Sequence, residues 1–247
     1  MTVVLIHGNP ETDAIWDPLR VELARDDVIA LSPPGFGAPL AENFDVTSDG
    51  YLHWLAQELE KLDGPIDLVG HDWGGVLVVR LAMTRPDLIR SWCTDIIGIF
   101  NHEYVWHEAA QRWQGPDGEA AVSAMLDVSE SDRSALLAQL GMGDSIARKV
   151  APWINDDMGQ AILGVYRSIS QPVVGNLGEA LHNAATRPGL CIIASEDTYT
   201  GGEILHRQAA KRSGAEVAVL EGLGHWWMCE DPTRTAEQLN LWFDKHD

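Results

Sequence analysis

An aspartate stands at the centre of the segment GHDWGG, residues 70–75, which directly follows the apolar run 66–69. Glycines two positions before and two positions after it let a strand and a helix approach closely around a sharp turn, which exposes the central side chain. Such a turn usually carries a nucleophile, most often serine, so we predict that Asp72 is a nucleophile. The backbone N–H of Trp73 then lies at a helix N-terminus and points at an anion site. The alternative is that Asp72 merely caps the helix.

A second loop, HGNP at residues 7–10, directly follows the first apolar run of the chain. In a parallel sheet the strands end at one edge, so this loop is expected to face the loop that carries Asp72. We predict that the backbone N–H of Asn9 acts beside that of Trp73 and that the two stabilise negative charge on an oxygen. His7 is more simply explained as a structural residue that holds the loop.

A histidine and an acid follow the last two apolar runs. His225 ends the segment GLGH after the run 216–220, and Asp197 ends ASED after the run 190–194. Nucleophile, acid and histidine in this order are typical of a nucleophile on a strand-to-helix turn. Asp197 would hold the imidazole in the tautomer that accepts a proton. Glu196 and Asp95 stay open as alternatives for the acid.

An aspartate nucleophile predicts a different reaction from that of a serine. A carboxyl group with a pKa of ~3.9 is already ionised at neutral pH, so it can displace a leaving group from a saturated carbon and form an ester. His225 would then activate water, and the N–H groups of Asn9 and Trp73 would stabilise the tetrahedral intermediate. The sequence has no HExxH, phosphate-loop or GxGxxG motif, and the reaction requires none of them. We therefore predict no metal and no organic cofactor.

Six short apolar runs supply the strands that position these residues. Each run is continuous rather than alternating, as expected of strands covered on both faces, and helical patterns fill the gaps. This order predicts an α/β fold with a mostly parallel, doubly wound sheet. The runs are 3–6, 28–31, 66–69, one within 91–99, 190–194 and 216–220.

The alternation of strands and helices stops after about residue 100. Residues 101–183 contain only helical patterns and loops, which predicts a helical lid inserted into a core formed by residues 1–100 and 184–247. Because such a lid is hinged on one core, we do not treat it as an independent domain.

Length, charge and composition limit the partners. A chain of 247 residues can bury a sizeable core. Its formal net charge of −20 would repel nucleic acid and anionic membranes, and it weakly disfavours anionic substrates, although a local site can override it. The N-terminus MTVVLIHG has no basic signal region. No apolar run approaches the ~18 residues of a transmembrane helix. The three cysteines form no disulfide framework. We expect a cytoplasmic monomer or homodimer that acts on a small apolar substrate.

The segments HGNPETDAIW, GHDWGG and GLGHWW together resemble the epoxide hydrolase and haloalkane dehalogenase branch of the α/β-hydrolases. The resemblance spans nearly the whole chain. It implies the α/β-hydrolase fold with Asp72, His225 and Asp197 as the catalytic triad. Proteins of this branch usually carry two further strands before the HGxP loop, whereas here the loop follows the first run, so we expect a sheet trimmed at its N-terminal edge.

The leaving group distinguishes the two activities of this branch. Opening an epoxide produces an alkoxide, a strong base, which needs a proton donor such as a tyrosine with a pKa of ~10. Epoxide hydrolases use a pair of lid tyrosines, and Tyr166, followed by Arg167, resembles the late one. Tyr104 lies where the early one is expected. The alternative is that both tyrosines are packing aromatics.

A halide is a weak base and needs only fixed N–H donors. Asn9 and Trp73 resemble the halide-binding pair of haloalkane dehalogenases, although Trp73 occurs in both groups, and epoxide hydrolases more often carry an aromatic residue at the Asn9 position. In the lid, Trp106, Trp113 and Trp153 could supply an indole donor or line an apolar pocket. The sequence favours an epoxide hydrolase, with a haloalkane dehalogenase as the alternative. Another hydrolase activity, or a ligand-binding protein without catalysis, is the second alternative.

Overall fold

A computed structural model of the protein describes residues 1–246. These residues form a six-stranded sheet, parallel throughout, with the strand order β2-β1-β3-β4-β5-β6. Each strand lies on one of the predicted apolar runs, so the predicted α/β class and parallel sheet are confirmed. The strands are β1 (Thr2–Ile6), β2 (Val28–Leu31), β3 (Ile66–Gly70), β4 (Ser91–Thr94), β5 (Gly189–Ala194) and β6 (Glu216–Leu220).

Burial explains why the strand sequences do not alternate. Strands β1, β3, β4 and β5 are buried at every position, whereas the edge strands β2 and β6 are only partly covered. Helices cover both faces of the sheet, so side chains pointing either way meet apolar partners. From β1 the chain passes outward to the edge strand β2 and then returns to β3 on the other side of β1.

Twelve α-helices accompany the sheet within residues 1–246. Helix α2 begins at Ser48, because the Thr47 side chain accepts a hydrogen bond from the Gly50 N–H and caps the helix. None of the helices in this part of the chain is long and apolar enough to cross a membrane. They are α1 (Asp17–Glu22), α2 (Ser48–Leu59), α3 (Trp73–Thr84), α4 (Glu108–Gln114), α5 (Gly118–Leu126), α6 (Glu130–Leu137), α7 (Asp144–Val150), α8 (Asp156–Ser168), α9 (Val173–Leu177), α10 (Gly202–Ser213), α11 (Trp227–Glu230) and α12 (Pro232–Lys245).

Helices α4–α9 all lie between β4 and β5, in the segment predicted to be helical. Ser129 caps α6 and Asn155 caps α8, each through a side-chain oxygen that accepts a backbone N–H. One face of α8, which includes Met158, Ile162 and Val165, is buried. Helix α8 is therefore anchored by its buried face, and it can position side chains.

Candidate active site

The loops after β1 and β3 meet where the strand order reverses. Strand β1 connects to β2 on one side while β3 pairs with it on the other, so a crevice opens at their carboxyl ends. The register pairs Ile6 with Gly70, the last residues of the two strands. The His71 N–H donates to the Ile6 carbonyl across 3.0 Å, which joins the two loops at their bases. The HGNP loop and the turn at Asp72 therefore lie side by side, as predicted.

The turn at Asp72 has the geometry that exposes its central side chain. Asp72 has φ 49° and ψ −125°, and it is the only non-glycine residue with positive φ in the described chain. A Cβ on Gly70 would lie 2.5 Å from the Gly74 carbonyl oxygen, and a Cβ on Gly74 would lie 2.2 Å from that of Ile6. Only glycine fits at these two positions, so strand and helix pack against each other and the Asp72 side chain reaches the cavity above. Strain of this kind is typical of a functional residue.

Donors from both loops hold the Asp72 carboxylate. The backbone N–H of Asn9 donates to Oδ1 across 3.0 Å, and the Asn9 side-chain nitrogen donates to the same oxygen across 3.3 Å. The backbone N–H of Trp73 also donates to the carboxylate. The two backbone donors predicted from the sequence therefore converge on one group.

Burial raises the pKa of Asp72 to about 6, because a carboxylate removed from water loses hydration. The positive charge of His225 and the Trp73 N–H oppose this rise. The ordinary value of ~3.9 on which the sequence argument rested does not apply to this site. Asp72 is still mainly ionised at pH 7, as a poorly hydrated carboxylate.

His225 and Asp197 form a buried pair beside Asp72. Nδ1 of His225 is 2.9 Å from Oδ2 of Asp197, and the Tyr199 backbone N–H donates to Oδ1 of Asp197 across 2.7 Å. Burial lowers the pKa of His225, but the Asp197 carboxylate outweighs it and the net shift is upward. Since Asp197 occupies Nδ1, Nε2 is left for the cavity, which His225 lines. Glu196, the neighbouring alternative, is exposed.

A second group of charges lies buried beneath the site. Nδ1 of His71 bonds the Asp95 carboxylate, and Nε2 is 3.0 Å from Oε1 of Glu11. Burial alone would lower the pKa of His71, but the two carboxylates raise it well above its ordinary value. His71 is therefore an imidazolium. Asp95, the other alternative for the acid, pairs with His71 and with the Asp72 backbone N–H rather than with His225.

The carboxylates of this cluster also fasten the loops of the site. Glu11 accepts the Gly8 N–H at 2.9 Å and the Trp226 indole at 2.5 Å. Asp95 accepts the Trp227 indole at 2.6 Å. The HGNP loop and the segment beside His225 are thus fixed to one set of buried charges. The bond from the Asp72 backbone N–H to Asp95 fixes the turn at Asp72 to the same charges.

Glu11, His71 and His225 come close enough together to suggest a metal site, with candidate ligand atoms all within 4.8 Å of one another. His71 does not suit that role, because both of its nitrogens already have carboxylate partners and an imidazolium has no free lone pair. The trio is better explained by the charge cluster.

An apolar cavity of about 410 Å³ opens in front of Asp72 and His225. The inserted helices supply most of its wall, with Trp113, Met125 and Leu137 among the lining side chains. This volume is within the range of small-molecule sites, which is roughly 300–1,000 Å³.

Tyr166 brings a hydroxyl into this cavity. The Asn9 side-chain nitrogen lies 3.5 Å from the hydroxyl oxygen, a long hydrogen bond, and the Trp73 side chain is a second donor to it. Burial, followed by the nearby Asp72 charge, raises the pKa of Tyr166 well above its ordinary value, so the phenol keeps its proton. With its oxygen accepting these bonds, the O–H is free to donate into the cavity.

Tyr104 and Trp106 do not reach the cavity, which corrects the expectation that both face the substrate. The Tyr104 hydroxyl donates to the Tyr199 backbone carbonyl across 2.7 Å, so its proton is already committed. Trp106 packs behind the site, 6.3 Å from the Trp73 ring and 5.5 Å from the Tyr166 ring, measured between ring centroids. These two residues support the residues that line the cavity.

His107 was not predicted from the sequence, and it lines the cavity near Tyr166. His107 caps α4, and its Nδ1 accepts the Ala110 N–H across 3.3 Å. Burial lowers the pKa of His107 to about 4, so the ring is neutral and its proton is on Nε2. A histidine directly before an acidic helix start could have been identified as a cap. Tyr199, also missed, lines the cavity beside His225, with ring centroids 5.1 Å apart.

A known protein family matches nearly the whole chain. The family described as the alpha/beta hydrolase family matches residues 3–238. The chain belongs to the alpha/beta hydrolase family. The resemblance found in the sequence motifs is thereby confirmed at the level of the family, and the protein is a hydrolase with the fold described above.

Two curated relatives illustrate the range of this family. The (E)-2-((N-methylformamido)methylene)succinate hydrolase of Acinetobacter baylyi is 23% identical over 246 residues, which cover 98% of this hydrolase and 90% of the relative. A haloalkane dehalogenase of Psychrobacter cryohalolentis is 34% identical over 117 residues, which cover 45% of this hydrolase and 39% of the relative.

Solved structures show the same fold. A Pseudomonas aeruginosa protein assigned as an epoxide hydrolase superposes with a TM-score of 0.79 at 18% identity, covering 99% of this hydrolase and 89% of that chain. A haloalkane dehalogenase of Bradyrhizobium elkani superposes with a TM-score of 0.70 at 21% identity, covering 99% and 90%. At such low identity these likenesses concern the fold alone, so the reaction has to be argued from the site.

Proposed function

We propose that this hydrolase is an epoxide hydrolase that converts epoxides to vicinal diols through an ester on Asp72. The observation that carries the proposal is the Tyr166 hydroxyl. It is buried and protonated, its oxygen accepts bonds from Asn9 and Trp73, and its O–H is free to donate in front of Asp72. An acid placed there serves an alkoxide leaving group and is not needed for a halide.

The first step is displacement at an epoxide carbon. The Asn9 N–H holds Oδ1 of Asp72, which leaves Oδ2 to attack. A bond forms between Oδ2 and the carbon, and the carbon–oxygen bond of the epoxide breaks. The electron pair goes to the epoxide oxygen, which takes the Tyr166 proton.

His107 is a suitable second donor in place of Tyr104. Its ring is neutral with the proton on Nε2, and its centroid is 6.3 Å from that of the Tyr166 ring. Two donors on one oxygen polarise the epoxide before the carbon–oxygen bond breaks. This arrangement replaces the pair of tyrosines predicted from the sequence.

The second step is hydrolysis of the ester. Nε2 of His225 takes a proton from water, which attacks the ester carbonyl carbon, while Asp197 stabilises the imidazolium. The N–H groups of Asn9 and Trp73 stabilise the negative oxygen of the tetrahedral intermediate. Collapse releases the diol and restores the Asp72 carboxylate, and the proton on His225 returns to the Tyr166 phenolate. Epoxide plus water gives diol, with no cofactor consumed.

The segment 101–183 serves as the lid in this scheme. Its helices α4, α5 and α6 supply much of the cavity wall, while α8 carries Tyr166. Excluding water strengthens the hydrogen bonds between donors and the epoxide oxygen.

Haloalkane dehalogenation is the second candidate, because the side chains of Asn9 and Trp73 are the donors that a halide would use. Here both donors are directed to the Tyr166 hydroxyl, which fills the position between them. A halide would have to displace that hydroxyl, so this function is the less favoured one.

A comparison of products tests the proposal. The purified enzyme is incubated with styrene oxide and separately with bromobutane, and diol and bromide are measured. We expect diol in the first reaction and little or no bromide in the second. Asp72→Asn, the matched control, should yield neither product. Bromide without diol would overturn the proposal in favour of the second candidate.

A further inference from the structure

We propose that Arg133 binds a carboxylate in the wall of the cavity, so that this hydrolase acts on epoxides whose apolar chain ends in a negative charge. The proposal extends the epoxide hydrolase function proposed above to a substrate class. It concerns a binding subsite separate from the reacting groups around Asp72.

Arg133 is the only lysine or arginine among the described residues that line the cavity. It lies on α6, and its Nη1 donates to the backbone carbonyl of Ile154. Its Nε is buried and has no hydrogen-bond partner in the described chain. Nε is therefore out of reach of a ligand, but Nη2 and the second N–H of Nη1 remain available to one.

Two other arginines of the insertion are already neutralised. In the same insertion, Arg112 pairs with Glu108 at 2.6 Å and Arg167 pairs with Glu119 at 2.7 Å. Arg133 forms no salt bridge within residues 1–246, and it is half-buried. A guanidinium held in an apolar wall without a counter-ion is costly unless a ligand supplies one. A carboxylate matches its planar geometry with two parallel hydrogen bonds.

The wall next to Arg133 suits an alkyl chain. Leu136, Leu137 and Leu140 follow it and line the cavity together with Val128. Leu136 is 53% exposed and Leu140 46%, so apolar surface continues outward from the cavity. The chain of a medium-length fatty acid could cover these side chains while its carboxylate meets Arg133 and its epoxide meets Asp72.

The net charge of this hydrolase does not oppose such a ligand at short range. The formal net charge of −20 repels anions at a distance, but salt screens this field beyond roughly 8 Å at physiological ionic strength. Inside the cavity, the Arg133 guanidinium makes the local electrostatic potential positive where the end of the substrate far from the epoxide would lie.

The kinetic test uses three substrates of matched length: a terminal epoxide of a medium-chain fatty acid, its methyl ester and the corresponding epoxyalkane. Arg133→Gln removes the charge but keeps a donor for the Ile154 carbonyl, and Arg133→Lys keeps the charge. Arg148→Gln, on the exposed surface of α7, is the control. In Arg133→Gln we expect the KM of the acid to rise about 10- to 100-fold, which corresponds to a charged hydrogen bond of ~1.5–3 kcal/mol. The KM of the ester and of the epoxyalkane should change less than about 3-fold, and Arg133→Lys should recover part of the loss.

A structural role for Arg133 would alter all three substrates by the same factor, and that outcome overturns the proposal. Binding measured without turnover separates it from the proposed reaction. Calorimetry should show that a saturated medium-chain fatty acid binds wild type at least about 10-fold more tightly than the matched alcohol, and that Arg133→Gln abolishes the difference. Equal binding of the acid and the alcohol to wild type would contradict the proposed carboxylate site at Arg133, even if epoxides are hydrolysed. Arg133-dependent binding without hydrolysis of any epoxide supports the subsite and refutes the epoxide hydrolase function.

Discussion

The side-chain nitrogen of Asn9 lies 3.5 Å from the hydroxyl oxygen of Tyr166, and it also donates to Asp72 across 3.3 Å. One amide therefore holds both the nucleophile and the proposed acid. In a haloalkane dehalogenase such an amide would be directed at a halide, so the position of Tyr166 distinguishes the two reactions.

Replacement of Tyr166 by phenylalanine should separate the two reactions experimentally. Tyr166→Phe removes the proposed acid, and general-acid catalysis typically contributes about 10²- to 10⁴-fold, so kcat/KM for styrene oxide should fall by that order. Any bromide release from bromobutane should stay the same or rise, because Asn9 and Trp73 are then free to bind halide. Steady-state assays of both products measure this, and an unchanged rate of diol formation would contradict the proposed role of Tyr166.

Replacement of His107 should slow epoxide opening more than replacement of Tyr104, the residue predicted from the sequence to be the second donor. His107→Asn keeps a side chain able to cap α4 but removes the Nε2–H, so epoxide opening should slow by about 10- to 100-fold. Tyr104→Phe loses only the bond to the Tyr199 carbonyl, which should cost about 1 kcal/mol of stability and leave kcat within about 3-fold. Rates and urea unfolding of the two variants give the comparison; the reverse ranking of the rates would restore Tyr104 as the second donor.

His225→Gln should trap the ester on Asp72. The first step does not need His225, whereas hydrolysis does, so the intermediate accumulates. Intact-protein mass spectrometry after exposure to styrene oxide should show one added substrate mass per chain. The double variant Asp72→Asn, His225→Gln is the control and should show none. If the single variant gains no mass, the two-step scheme is wrong.

The pH dependence of ester formation should report the raised pKa of Asp72. Attack requires the carboxylate, and burial raises its pKa to about 6, so the single-turnover rate should fall about tenfold per pH unit below that value. Stopped-flow fluorescence of the tryptophans near the cavity is a suitable signal. An acid limb near the ordinary value of ~3.9 would show that burial does not perturb this carboxylate.

Glu11→Gln should destabilise the fold by about 3 kcal/mol near pH 6, because it removes one partner of the buried His71 imidazolium. Burial would raise the pKa of Glu11, but His71 lowers it to about 2, so its contribution is complete above its ordinary value of 4.5 and is lost as pH falls towards 2. The pKa of His71 is raised, so its contribution is complete below 6.5 and is lost as pH rises through the raised value.

Urea unfolding of Glu11→Gln and wild type at several pH values measures this difference, which should shrink at both ends of the range. Glu119→Gln, which breaks an exposed pair with Arg167, should leave stability almost unchanged at every pH. A pH-independent loss in Glu11→Gln would indicate a packing defect rather than a broken charge cluster.

Much of the site could be predicted from the sequence because its geometry is local. The glycines at 70 and 74 specify a sharp turn around Asp72, since a side chain at either position would overlap the backbone. Parallel strands end at one edge, so residues that follow β1, β5 and β6 had to approach that turn. Asn9, Asp197 and His225 lie together in the structure for this reason.

The sequence predicted that the insertion is helical, but it could not predict which of its side chains face the cavity. Neighbouring residues on a helix or at its start point in different directions, so whether Trp106 or His107 faces the cavity depends on how α4 packs. The same packing turns Tyr104 towards the Tyr199 carbonyl and Arg133 into the cavity wall.

The charge states also needed the tertiary structure. By itself the sequence determined the fold class, the turn at Asp72 and the order of the three triad candidates, because strand ends and glycines act over a few residues. Only the folded chain decided that Asp72 is poorly hydrated, that His71 is charged between two buried carboxylates and that Tyr166 keeps its proton. Desolvation and pairwise charge depend on which groups from distant parts of the chain become neighbours, and a sequence specifies those distances only through its fold.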